Sequence, residues 1–341
     1  MKRLNNSLYI SQPDRYLSLE GESVVISFEE KNVKVPLHNL EQIVTFGYTG
    51  ASPGLMGKCA GNGISLVFMD RNGKFLARVE GEVRGNVLLR REQYRIADDA
   101  ERSLKIAKSV ILSKLFNSRW VLERAIRDHA LRVDVELFKQ KSEYLQTSIR
   151  SAESAEDFDS LRGIEGEAAS VYFSVFDDMI LQQKEDFRFQ RRTRRPPRDR
   201  VNALMSFTYS LMTSGCAASL EAVGLDPYVG FLHTDRPGRL SLALDMVEEF
   251  RAYCDRFSLT LINKKYVQAE HFDVREDGAV KLNDQGRKVF FEHWQKRKQE
   301  ELVHPYLGEK VEWGMLPYVQ ALLLARYIRG ELDEYPPFFW K

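Results

Sequence analysis

Four polar side chains in three separate segments form the best candidate for a reactive site: Glu165, His233, Asp245 and Glu248. The set holds carboxylates and one imidazole but no thiolate. Hard oxygen donors with a single nitrogen favour Mg²⁺ or Mn²⁺ over a closed structural zinc site. Such an ion, retaining open water positions, polarises a phosphoryl oxygen and activates water or a hydroxyl nucleophile. These residue types therefore point to metal-assisted attack on a phosphodiester.

Glu165 lies in a segment of small residues. On a helix it shares the apolar side with Tyr172, whereas Glu167 points away from that side. Gly163 and Gly166 lie beside it, and each destabilises a helix by roughly 1 kcal/mol relative to alanine. Small residues around an inward carboxylate favour close approach of a ligand. The alternative is a capping or salt-bridged glutamate at a helix break.

The other three candidates lie near one another in the chain. His233 stands in a loop of turn residues, 230–239, where an ordinary hydrogen-bonding histidine is the alternative. Asp245 and Glu248 are three residues apart, so a helix places both carboxylates on one face, with Glu249 close by. The alternative is a purely structural role, because acidic residues in the first turn of a helix are favoured by the helix dipole.

Residues 184–200, called the arginine segment below, carry eight basic side chains against three acidic ones, a net charge of +5. Two prolines and little apolar content predict a mobile loop. Guanidinium groups bind phosphate well, so the segment is predicted to contact a nucleic-acid backbone, and a solvated linker is the alternative. The predicted DNA-binding residues, here and at the start of the helical part, are Arg84, Arg90, Arg91, Arg188, Arg191, Arg192, Arg194 and Arg195.

The elements that must position these residues fall into two parts. Residues 1–83 carry short β-branched and aromatic runs between turn signals, which predict a small β-sandwich. The runs are Leu8–Ile10, Ser23–Phe28, Val33–Leu37, Gln42–Phe46, Ile64–Met69 and Phe75–Val79. Over residues 84–341 apolar residues recur at helical spacing, which predicts a mostly α-helical catalytic domain. The expected fold class is therefore α+β.

Three helix limits matter most for the candidate site. The helix that carries Glu165 is predicted over residues 155–181, with a break near Gly163. Asp199 is the expected N-cap of a helix that stops at Gly224. Ser241 is the expected N-cap of a helix over residues 242–253.

Bulk composition narrows the class of protein. The chain has 341 residues, of which 43% are hydrophobic, enough for two domains with cores. Basic and acidic residues nearly balance, at 50 against 49, so nucleic-acid binding must rest on local charge. Three cysteines without CxxC spacing argue against a disulfide framework or a cysteine zinc site. No signal peptide and no run of the roughly 20 apolar residues of a membrane span is visible, so a cytoplasmic location is expected.

The ordered set of three motifs resembles the Cas1 family of CRISPR-associated adaptation integrases and endonucleases. The matching runs are Arg162–Gly166 with Tyr172-Phe173, Gly230–His233 with Pro237–Arg239, and Leu242–Arg251. Their order, their spacing and the β-then-helical organisation all match, so the resemblance covers nearly the whole chain. It is closest to members from type I systems, with subtype C as the expected subtype.

The resemblance implies specific roles and partners. Glu165, His233 and Glu248 would be metal ligands, and Asp245 a further catalytic acid at the metal. Family members form homodimers, which is expected here chiefly through the β-rich domain. Two dimers bridge through the small Cas2 protein and insert short DNA fragments as spacers into the CRISPR array, by attack of a 3′-hydroxyl on a phosphodiester. They also cut DNA, including double-stranded and branched forms.

Two other functions remain compatible with the residues. A standalone metal-dependent nuclease that acts on branched DNA in repair would use the same site without a partner. A non-enzymatic DNA-binding scaffold would use the acids structurally. Loss of metal-dependent turnover on changing Glu165 would exclude the scaffold.

Overall fold

The computed structural model describes residues 7–10, 15–28, 31–47, 50–70, 75–81 and 87–341. Arg84, one of the predicted DNA-binding residues, lies outside this part of the chain. The whole chain divides into two units. One comprises Met1–Arg84, Leu282–Leu302 and Lys310–Leu316, and the other Gly85–Lys281, Val303–Glu309 and Pro317–Lys341. The predicted division after residue 83 stays a prediction, although residues 282–302 and 310–316 group with the N-terminal ones.

The N-terminal residues form two four-stranded sheets. Their strands are β1 (Ser7–Ile10), β2 (Tyr16–Glu20), β3 (Ser23–Phe28), β4 (Lys31–Pro36), β5 (Gln42–Phe46), β6 (Gly50–Ala51), β7 (Ser65–Met69) and β8 (Phe75–Val79). One sheet has the order β1-β5-β7-β8 and the other β4-β3-β2-β6. β5 pairs in parallel with β1 and β7, whereas β3 pairs antiparallel with β2 and β4.

One apolar cluster joins the two sheets, as a sandwich requires. A short helix, α1 (Pro53–Asn62), contributes to it, and the Ser52 side chain caps that helix by accepting from the backbone N–H of Leu55. The alternation of the strand residues places one set of side chains inward. Members of the cluster from both sheets and α1 are Ile10, Leu17, Val24, Ile43, Leu55, Cys59 and Leu66.

Long helices dominate the remainder, which confirms the α+β prediction. They are α2 (Val87–Asp98), α3 (Ala100–His129), α4 (Val135–Ser154), α5 (Phe158–Ser174), α6 (Arg200–Ala222), α7 (Ser241–Asn263), α8 (Asp284–Lys298) and α9 (Leu316–Ile328). α3 packs against α4 and α7, and α6 packs against α7. Buried side chains run along most of α7, so it is a central helix of its unit. Two short hairpins pair β9 (Phe272–Val274) with β10 (Val280–Leu282), and β11 (Glu301–Val303) with β12 (Lys310–Glu312).

The helix limits differ from the prediction in two places. α5 is continuous through Gly163 and ends at Ser174 rather than 181; it begins at Phe158, because Asp157 caps it by accepting from the N–H of Ser160. Ser241 lies inside α7, whose N-cap position is Leu240, and the helix runs ten residues further than predicted, to Asn263. By contrast, Asp199 caps α6 as expected and accepts from the N–H of Asn202.

The strand β2 was missed, because its five residues hold only two inward apolar side chains, Leu17 and Leu19, which is too short a run for alternation to show. The arginine segment also differs from its prediction. Phe187 and Phe189 are buried, so the segment carries packed apolar residues and is not merely polar. Over the described ranges no helix combines the length and apolar character needed to cross a membrane.

Candidate metal centre

Helix α5 presents Glu165 to the interior of its unit. The Glu165 side chain is partly buried, whereas Glu167, two residues later, is exposed as predicted. A Cβ atom built at Gly163 or Gly166 would meet no heavy atom within 4 Å. Both glycines are exposed, so the surface of α5 at these two positions is open to solvent and no side chain covers it.

Lys114 of α3 joins two of the predicted ligands. Its ammonium donates to a carboxylate oxygen of Glu165 and also to Oε2 of Glu248, the latter at 2.8 Å. Two oxygens bonded to one nitrogen lie no more than about 6 Å apart, twice a hydrogen-bond length. Glu165 on α5 and Glu248 on α7, which are 83 positions apart in sequence, are thus close in space, with a positive charge between them.

Glu248 is almost fully buried and paired with two cations. Arg251, one turn later on α7, donates to both of its carboxylate oxygens, at 2.6 and 2.7 Å, and Lys114 donates to one of them. Burial alone would raise the pKa of Glu248, but the charges of Arg251 and Lys114 outweigh it and hold that pKa far below its usual range. Glu248 is therefore ionised at any physiological pH, as a metal ligand must be.

Asp245 holds the His233 loop. Its carboxylate accepts from the backbone N–H groups of Phe231, Leu232 and His233 at 2.7 to 3.0 Å. It also contacts the imidazole Nδ1 of His233 at 2.6 Å. Four donors thus surround a side chain that is 2% exposed, so no free face is left for a metal in this arrangement. A hydrogen bond from Nδ1–H to a carboxylate selects the tautomer with a lone pair on Nε2, the pattern of metal-binding histidines.

Glu249, the third acidic residue of α7, binds the C-terminal part of the chain. Glu249 accepts from the hydroxyl of Tyr335, from Gln320 at 2.9 Å and from the N–H of Phe338 at 2.7 Å. Phe338 is fully buried, and its carbonyl accepts from the side chain of Ser113 at 2.6 Å, so the segment 335–340 docks on the helical unit. Burial raises the pKa of Glu249 to about 7.

The predicted site residues therefore form two pairs. Glu165 and Glu248 meet at Lys114, and His233 and Asp245 meet at the start of α7. Among the residues that the structure describes, no three His, Cys, Asp or Glu side chains are placed to hold an ion together. The expectation that Glu165, His233 and Glu248 meet around one ion stays a prediction. The donor set does fit a divalent cation, because a buried carboxylate and a partly buried one already share one ammonium group.

The arginines divide into inward and outward groups. Arg192 donates to Asn202 at 2.6 Å and to Ser206 at 3.0 Å, and its guanidinium lies 5.3 Å from the centre of the Tyr209 ring. These contacts hold Arg192 inside the protein, so they indicate a structural role where phosphate contact was predicted. The predicted DNA-binding residues that remain exposed are Arg91, Arg188, Arg191, Arg194 and Arg195, and Arg90 is half-buried.

Two candidate functional residues, Lys114 and Arg251, were not identified from the sequence. Lys114 is on the buried side of α3, three and four residues after the buried Ile111 and Val110, and that position was its only signal. Arg251 was included in a motif but given no role, although it is the bidentate partner of Glu248.

Comparison with known proteins places the chain among CRISPR-associated proteins. The profile of the family described as "CRISPR associated protein Cas1" matches residues 8–296. A CRISPR-associated endonuclease Cas1 of Chlorobaculum tepidum is 49% identical over 343 residues and covers 100% of both chains. A second, from Rhodospirillum rubrum, is 48% identical over 347 residues, again with 100% coverage of both.

Solved structures share the fold. A CAS1 protein from Thermotoga maritima superposes with a TM-score of 0.81 at 24% identity, covering 97% of this chain and 99% of that one. A casposase bound to its integration product superposes with a TM-score of 0.83 at 21% identity, covering 98% and 94%. A chain of a Cas6-RT-Cas1–Cas2 complex also matches, with a TM-score of 0.83 at 21% identity, and this protein spans 36% of its length.

Proposed function

The chain belongs to the CRISPR-associated Cas1 family, and we propose that it cuts and joins DNA at a divalent-metal site formed by Glu165, His233 and Glu248. It is a CRISPR-associated endonuclease. The observation that carries the proposed site is the shared ammonium of Lys114, which brings the carboxylates of Glu165 and Glu248 to one cation. Asp245 is proposed as the positioning residue of His233 rather than as a ligand.

The joining reaction is the insertion of short DNA fragments as spacers into the CRISPR array. A 3′-hydroxyl of the fragment attacks a phosphodiester of the array, a new phosphodiester forms, and the broken strand leaves with its own hydroxyl. No net water is consumed, which distinguishes joining from hydrolytic cutting at the same site. Support comes from the similarity in fold to a casposase bound to its integration product.

The roles of the protein's own residues follow from their contacts. Glu165 and Glu248 would supply carboxylate oxygens, and His233 would supply Nε2, because Nδ1 is held by Asp245. The bound ion would polarise the phosphoryl oxygen and lower the pKa of the attacking group. Arg251 keeps Glu248 ionised and aimed, since it holds both oxygens. Oxygen-rich donors favour Mg²⁺ or Mn²⁺ as that ion.

The exposed arginines are proposed to bind the DNA substrate. Arg191, Arg194 and Arg195 are exposed in the arginine segment, whose backbone is anchored by buried Phe187 and Phe189. Phosphate contacts of this kind position a duplex or a branched form without reading its bases. A rigidly anchored strip of guanidinium groups would hold the phosphodiester near the carboxylates.

A homodimer and the small Cas2 protein are the proposed protein partners. A fold shared with a Cas1–Cas2 complex supports the second. For the first, the strands expose apolar side chains: Tyr16, Val33 and Leu76 are each 47–49% exposed. Apolar side chains on exposed strands are typical of surfaces that pair with another copy. Integration that proceeds without Cas2 would instead support the standalone nuclease for branched DNA.

The test of the site uses a matched pair of variants on α5. Glu165→Ala should abolish cutting and joining, with DNA affinity changed by less than about twofold, because phosphate contacts dominate binding. Glu167→Ala is the control, since Glu167 lies on the same helix but is exposed. Both activities should stay within about twofold of wild type in the control. Retained turnover in Glu165→Ala would place the reactive site elsewhere.

A further inference from the structure

Gln93 of α2 is a fully buried polar residue that contacts the loop leading to His233. Its amide nitrogen donates to the carbonyl oxygens of Asp226 at 2.8 Å and Val229 at 2.9 Å. Its amide oxygen accepts from the N–H of Asp226 at 2.9 Å. The neighbouring Tyr94 hydroxyl donates to the Asp226 carboxylate at 2.8 Å. One turn of α2 thus binds both ends of residues 226–229.

The rest of that loop is held just as completely. The carbonyl of Pro227 accepts from the first turn of α7, at 3.0 Å from Leu242. A Cβ atom at Gly230 would lie 2.9 Å from the carbonyl oxygen of His233, so the chain turns too tightly for any other residue there. Asp245 then takes the next three N–H groups, and Arg162 of α5 donates to the carbonyl of Leu232 at 3.3 Å.

We propose that Gln93 is a positioning residue for His233 in the cutting and joining reactions. This inference rests on the proposed role of His233. Residues 226–232 form a rigid connection in which Gln93 secures the beginning and Asp245 the end. The imidazole direction depends on both, because His233 immediately follows the segment that they hold. Asp245 fixes the ring, and Gln93 fixes the backbone from which the ring projects.

The residue type supports this role over simple packing. Leu89 and Ile96, one turn before and after Gln93, are buried apolar residues of the same face. A third apolar side chain would fill the position without a desolvation penalty. Only an amide can donate to two carbonyls and accept from an N–H at once, so glutamine satisfies three backbone groups that would otherwise be buried without partners.

The test compares Gln93→Met, which keeps the side-chain length without a donor, with Leu89→Val on the same buried face. Single-turnover cutting and joining at saturating DNA and metal are measured beside the melting temperature and DNA affinity. Second-sphere partners of ligating histidines typically matter by 10–100-fold in activity. We expect a loss in that range for Gln93→Met at unchanged DNA affinity, and less than about twofold for Leu89→Val at a similar melting temperature. If Gln93→Met does not fold, Gln93→Leu takes its place.

The decisive measurement combines Gln93→Met with Asp245→Asn. Two residues that act through His233 should be non-additive, so the double variant should lose no more activity than the stronger single variant. Multiplied losses, an equal loss in Leu89→Val, or full activity in Gln93→Met would each overturn the inference. Wild-type activity in His233→Ala would instead refute the proposed function, so the two failures are distinguishable.

Discussion

Replacing Lys114 with methionine should strengthen metal binding at the candidate site. In the structure the Lys114 ammonium donates to both Glu165 and Glu248, and its side chain is only 12% exposed. A divalent ion that binds these carboxylates must compete with that ammonium. Methionine keeps most of the volume and removes the charge, so the competitor disappears while the packing of α3 is retained.

The size of the effect follows from the charges. Unit charges about 4 Å apart attract by about 4 kcal/mol at an effective dielectric constant of 20. Rehydration of the displaced ammonium offsets part of this, and Arg251 stays on Glu248 in both proteins. A net difference of about 1.4 kcal/mol corresponds to about tenfold in affinity. We therefore expect Lys114→Met to bind Mn²⁺ about tenfold more tightly than wild type.

Mn²⁺ titration followed by electron paramagnetic resonance measures this affinity directly, at constant ionic strength. Lys105→Met is the matched control, because Lys105 is on the same helix and pairs with Glu101, but at an exposed position. The control should leave the affinity unchanged. Equal affinities in wild type and Lys114→Met, or equal gains in both variants, would refute the competition between ammonium and metal.

Three further predictions concern the surroundings of the site. Asp245→Asn should lower cutting about 10–100-fold, because the imidazole of His233 loses its carboxylate partner, and a rate within twofold of wild type would contradict that role. Burial raises the pKa of Glu249 in the folded protein to about 7, so the free energy of unfolding should fall as pH rises from about 4.5 to 7. Glu249→Gln should flatten this dependence on pH by up to about 1.4 kcal/mol per pH unit. An unchanged slope in the variant would contradict this effect of burial. Replacement with serine of three exposed arginines of the arginine segment, Arg191, Arg194 and Arg195, should weaken the dependence of DNA affinity on salt. The slope of log affinity against log salt concentration should fall by about 0.9 for each lost phosphate contact. An unchanged slope would make the segment a solvated linker.

Sequence patterns predicted the elements better than the contacts. The β-branched and aromatic runs identified most N-terminal strands, and the capping residue Asp199 marked the start of α6. Local patterns carry this information because capping and alternation act within a few residues. Short strands such as β2 are missed, because two inward apolar residues, Leu17 and Leu19, give too short a period to detect.

The contacts within the site could not be predicted from local sequence patterns. Spacing placed Asp245 and Glu248 on one helical face but could not separate their tasks, since the donors to Asp245 come from residues 231–233 and those to Glu248 from α3 and α7. Lys114 and Gln93 each occupy a polar position within an apolar helical stripe. Such a position signals a buried polar contact, but the partner of Gln93 lies 133 residues away and only the tertiary fold reveals it.

A crystal of the wild-type protein soaked with Mn²⁺ tests the central claim most directly, through the anomalous difference map. One peak is expected about 2–2.5 Å from the carboxylates of Glu165 and Glu248 and from Nε2 of His233, with the Lys114 ammonium displaced from between the two glutamates. A peak elsewhere, or none at a Mn²⁺ concentration that supports cutting in solution, would contradict a metal centre built from these three residues.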